Sequence, residues 1–79
     1  MAQSALDEVL AGLPPGAEPV VETTGEPVAV EAALRDAPDL GIVVLAGPVP
    51  DRPPPVDLYG DLHVRGLTVV CVPPAHDIP

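Results

Sequence analysis

At 79 residues the chain has room for at most one small domain, in the size range where a single hydrophobic core is marginal. A formal net charge of −9, with Arg35, Arg52 and Arg65 as the only arginines and no lysine, sets it against phosphate backbones and anionic lipid surfaces, so neither nucleic acid nor membrane is an expected partner. Thirteen prolines and a single aromatic residue, Tyr59, leave any core to Val, Leu, Ile and Ala, broken by irregular segments.

Taken in order, Ser4-Ala5-Leu6-Asp7 reads as a capping box, with Ser4 as the cap. Leu6, Val9, Leu10 and Leu13 then make one apolar stripe of a short helix, which Gly12 and Pro14-Pro15 end. Pro19 is tolerable as a first strand residue. Val20 and Val21 open an apolar run that Thr24-Gly25 closes. A second helix runs from Pro27 to about Ala37, with proline at its first position and Val30, Ala33, Leu34 and Ala37 as its buried stripe. Glu31 and Arg35 form an i,i+4 pair on that helix, and Pro38 stops it. Residues Ile42-Val43-Val44-Leu45-Ala46 are continuously apolar, which predicts a strand buried on both faces, as in a parallel sheet. The proline-rich stretch from Gly47 to Val56 is a loop, and Asp57 to Val64 is ambiguous, with a helical turn as one reading. A third strand, Leu67 to Val72, ends at Pro73-Pro74.

The expected fold class is therefore α/β: a partial Rossmann-like, three-stranded parallel sheet with two helices on one face, spanning residues 1–72, followed by a proline-rich tail at 73–79. Right-handed crossovers running in one direction place both helices on the same side. The other face then lacks cover from this chain, and a contiguous apolar patch there calls for a second copy, a partner chain or sequence that has been lost. Leu67 to Val72, apolar and free of charge, is a candidate interface for such a partner, with simple burial in the sheet as the equal alternative.

Cys71 is the single cysteine, so no internal disulfide forms, in keeping with a reducing compartment. No basic-then-apolar leader and no apolar run near the roughly 20 residues of a membrane span are present, which makes cytoplasmic the expectation.

Candidate site residues gather at strand ends. Thr23, Thr24 and Gly25 follow the first strand; Leu45, Ala46 and Gly47 end the second. The carboxyl edge of an open α/β sheet is where ligands bind, while glycines there also serve simply to permit tight turns. Glu22 is a possible general base if desolvated, against the plainer reading that it faces the solvated edge or pairs with an arginine. His63, Cys71, His76 and Asp77 are possible metal ligands, but their spacing matches no standard zinc pattern, and no metal site is expected.

Several of these segments, in this order and spacing, resemble the zinc-type medium-chain alcohol and polyol dehydrogenases. Val20-Val21-Glu22-Thr23-Thr24-Gly25 is similar to the family's fourth strand. Ala32-Ala33-Leu34 resembles a motif of the helix that follows, and Val43-Val44-Leu45-Ala46-Gly47 the fifth strand with its glycine turn. Val56-Asp57-Leu58 resembles a motif of the next loop, and Arg65 to Val70 the approach to the last strand. The resemblance covers roughly Ala5 to Val72. It implies the C-terminal half of a nucleotide-binding domain, from an oxidoreductase family that uses NAD(P) and zinc. In that family the positions of Thr23, Thr24, Gly25, Leu45, Ala46 and Gly47 line the nicotinamide half of the cofactor, and final strands pair across a dimer. The sequence holds no counterpart of the Gly-rich phosphate turn, of the acidic ribose-binding residue, or of the domain carrying the zinc ligands. Cys71 stands where the family commonly has glycine. The expectation is a fragment inactive as an isolated chain, with weak or no NAD(P) binding and no zinc. A non-catalytic interaction or dimerisation module built on the same fold is the alternative.

Overall fold

The computed structural model of the chain describes residues 2–73. Its elements run α1 (Ala2–Ala11), β1 (Val20–Glu22), α2 (Pro27–Asp36), β2 (Ile42–Leu45), a π-helical turn (Leu58–His63) and β3 (Thr68–Cys71). The strands lie in the order β1-β2-β3 with both pairings parallel; Val43 sits opposite Val20 on one side and Val69 on the other. The α/β class and the three-stranded parallel sheet are as expected. Residues 74–79, including His76 and Asp77, lie outside the described residues.

Strand β2 is the centre of the molecule. Val43 and Val44 are both 0% exposed, although consecutive strand residues point to opposite faces. Val43, flanked by Val20 and Val69, packs against Val30, Ala33, Leu34 and Ala37, the four stripe positions that the helical period marks out. Val56, Leu62 and Leu67 pack on the same cluster, so the crossover from β2 to β3 runs on the α2 side. The opposite face carries the Val21–Val44–Val70 row. Its middle member is sequestered, but Val21 is 38% exposed and Val70 half-buried, so this face is incompletely covered.

None of Ala5 to Ala11 of helix α1 is fully buried or belongs to the α2 cluster. The helix begins at Ala2, which corrects the expected cap: Ser4 stands inside the first turn, because Ala2 and Gln3 are good helix formers and carry the helix past it.

Two ion pairs are present among the described residues. Glu31 and Arg35 pair along α2 as the i,i+4 spacing predicts. Arg65 does more. Its Nη1 donates to the Leu34 carbonyl oxygen (2.7 Å), its Nη2 donates to that of Ala37, and its Nε donates to Asp39 Oδ1 (3.2 Å). The last carbonyls of a helix lack intrahelical partners and carry the negative end of its dipole, so a guanidinium there satisfies both. The ambiguous segment after the proline-rich loop is the π-helical turn, held by reciprocal caps: Asp57 Oδ1 accepts from the Tyr59 amide (3.0 Å) and Asp61 Oδ2 from the Asp57 amide (2.9 Å).

Candidate functional site at the carboxyl edge of the sheet

The last rung of the sheet is Glu22–Leu45–Cys71, three register partners in a row. Beyond it the chain leaves β1 through Thr23–Glu26 and β2 through Ala46–Pro48. Two further bonds lengthen the ladder: Ala46 N–H to the Glu22 carbonyl and Val72 N–H to the Leu45 carbonyl, both 2.8 Å. The six residues expected to sit together, Thr23, Thr24, Gly25, Leu45, Ala46 and Gly47, do meet at this edge.

The two glycines are needed by each other's loops. Gly25 has φ +72°, and a Cβ there would be driven into the Pro48 carbonyl oxygen. A Cβ on Gly47 would strike the Gly25 amide nitrogen and come within 2.9 Å of the Thr23 and Thr24 carbonyl carbons. The space that the missing side chains leave is thus filled by backbone of the same chain. These contacts account for both glycines as turn residues, with no ligand needed to explain them.

Glu22 is 7% exposed and pairs with no arginine. Its carboxylate accepts from the Thr24 amide (3.1 Å to each oxygen), the Thr24 hydroxyl (2.7 Å) and the Gly25 amide (2.7 Å). The reading of a solvated or arginine-paired glutamate is corrected here: the turn after β1 curls its own donors back onto the carboxylate. Burial pushes the carboxyl pKa up, but the Thr24 hydroxyl and the Gly25 and Thr24 amides outweigh it, and the group titrates below the ordinary glutamate value. A carboxylate so stabilised is a poor proton acceptor at neutral pH, which counts against a general base at this position.

Two clefts flank this edge. One, of about 310 Å³, lies between the N-terminus of α2 and the proline-rich loop, lined by Thr24, Glu26, Asp51 and Arg52 among others. The other, of about 300 Å³, lies under the same loop, on the terminal rung itself. His63 is placed elsewhere, on the π-helical turn, with its ring edge-on to Tyr59 at 5.7 Å between centroids. Among the described residues no three His, Cys, Asp or Glu side chains gather as a metal site would require. No helix among them is long and apolar enough to cross a membrane.

Sequence reasoning placed the edge but missed the arrangement of Glu22 and the role of Arg65. The pattern Glu-Thr-Thr-Gly marks a turn, yet nothing local says that its amides point at the carboxylate. Comparisons with protein-family models, curated proteins and solved structures found no match to this chain.

Proposed function

We propose that these residues are the second half of a nucleotide-binding domain of the zinc-type medium-chain dehydrogenase kind, and that the chain by itself turns over no substrate. The observation that carries the reading is the sequential, all-parallel order β1-β2-β3, with the glycine turns after β1 and β2 meeting at one carboxyl edge. The reading of an inactive isolated chain is supported by the sequence, in which these 79 residues hold no counterpart of the family's Gly-rich phosphate turn. NADH and NADPH titrations followed by amide NMR test it. The expected outcome is binding weaker than millimolar, with any shifts at Thr23–Gly25 and Leu45–Gly47. Millimolar or tighter binding overturns the reading of a non-catalytic half. Mixing with a chain that carries the family's Gly-rich turn and zinc domain is the complementary test. Association with gain of NAD(P)-dependent alcohol oxidation supports the kinship, and failure to associate removes it.

A second reading, a non-catalytic module that binds another copy or a partner chain, is favoured by the outer side of the sheet. Among the described residues strand β3 has β2 as its one strand neighbour, and the Val21–Val44–Val70 face is incompletely covered. Light scattering separates the readings: self-association without cofactor or partner supports the module.

A further inference from the structure

The second cleft holds a charge that the reading above leaves unused. Its floor is the Glu22–Leu45–Cys71 rung, its walls include Val30 and Val72, and its roof is the proline-rich loop. Pro48, Pro50 and Pro54 on that roof have no N–H, so they offer a ligand no backbone donor. Glu22 is the charged side chain of the lining, and among the described residues no Arg or His stands within ion-pair distance of it. Its partners are the Thr24 hydroxyl and two amides, neutral dipoles that keep the carboxylate ionised without cancelling its charge. A fixed negative charge set into apolar walls repels anions, gives an uncharged molecule nothing beyond apolar contact, and attracts a cation whose body fills the remaining space. The chain's net charge of −9 adds a field of the same sign.

We propose that the cleft between the terminal rung and the proline-rich loop binds a small organic cation, its ammonium group toward Glu22 and its apolar body against Val30, Leu45 and Val72. At about 300 Å³ the cleft lies at the lower end of ligand-site volumes, which suits a single ring or a short chain. The site does not depend on the dehydrogenase kinship, so this proposal and the cofactor test above can fail separately.

Benzylammonium, benzyl alcohol and benzoate each carry one phenyl ring and are close in size but differ in charge, and titrating the full chain with each decides the matter. Shifts are followed at the Gly25 amide and the methyls of Val30, Leu45 and Val72. Benzylammonium should bind about tenfold tighter than benzyl alcohol, and benzoate should not bind. Added salt should narrow the preference, and Glu22→Gln should abolish it. Should Glu22→Gln not fold, the series on the unaltered chain still decides, because the expected order of affinity follows ligand charge and the shifts must fall on the named residues. Equal affinity for alcohol and ammonium overturns the proposal, as does binding of benzoate, a shift pattern that misses these residues, or no saturable binding by any of the three.

Discussion

Replacing Glu22 by alanine removes the acceptor for the Thr24 hydroxyl and the Thr24 and Gly25 amides at once. Donors left without a partner cost about 1–3 kcal/mol each when buried, and the loop is half open to water, so Glu22→Ala should destabilise the fold by about 2 kcal/mol in urea denaturation. The same carboxylate sets a pH dependence. Its folded-state pKa lies below the unfolded value of about 4.3, so its stabilising contribution is in place above that value and is lost as pH falls through the folded one. Thermal melts across the acid range should therefore show a descending limb that is shallower in Glu22→Ala. The glycines make a second residue-scale prediction. Gly25→Ala meets both a left-handed backbone, at about 1–2 kcal/mol, and the Pro48 carbonyl; Gly47→Ala meets a backbone collision alone. Both should lower the denaturation midpoint, Gly25→Ala by more.

Among the elements, α2 and its junction with β2 carry the next predictions. Arg65→Ala leaves the Leu34 and Ala37 carbonyls without their charged donor and should cost about 2 kcal/mol, of which Arg65→Lys restores only part, since an ammonium cannot reproduce the planar fork. The turn Pro38–Gly41, closed by Gly41 N–H to the Pro38 carbonyl (2.8 Å), places Leu40 at φ +64°, with its side chain 82% exposed. Glycine or asparagine suits such a position, so Leu40→Asn should raise stability by about 1 kcal/mol, read as a higher melting temperature. What the sequence could and could not convey divides along the same lines. The buried stripe of α2 was legible because a 3.6-residue period is local, and β2 because its unbroken apolar run is short, rich in β-branched residues and bounded by Gly41 and Gly47-Pro48. The edge of the sheet was legible from its glycine turns. Arg65 was not, because its bonds reach residues 31 and 28 positions away, a relation no local pattern encodes. Glu22 was misread for a related reason: whether a strand-end carboxylate meets water or amides depends on how the next turn closes.

At the scale of the whole molecule, two properties oppose each other. The incompletely covered Val21–Val44–Val70 face favours association, while a charge of −9 on each chain resists it. Screening shifts that balance, so the mass from light scattering should rise with protein concentration and with salt, and Val21→Lys should suppress the rise. A mass independent of both removes the open face as a contact surface.

The order of the strands has one further consequence. Both flanks of the sheet, the outer sides of β1 and β3, lack a strand neighbour among the described residues. If β3 of one molecule docks beside β1 of the next, every strand stays parallel and each addition exposes a fresh β3, so growth has no natural stopping point and tends toward fibres. If two β3 strands meet across a two-fold axis, they run antiparallel and the assembly closes at two copies. Because β1 offers only three residues and β3 four, either seam is short, and that brevity is itself a brake on runaway stacking.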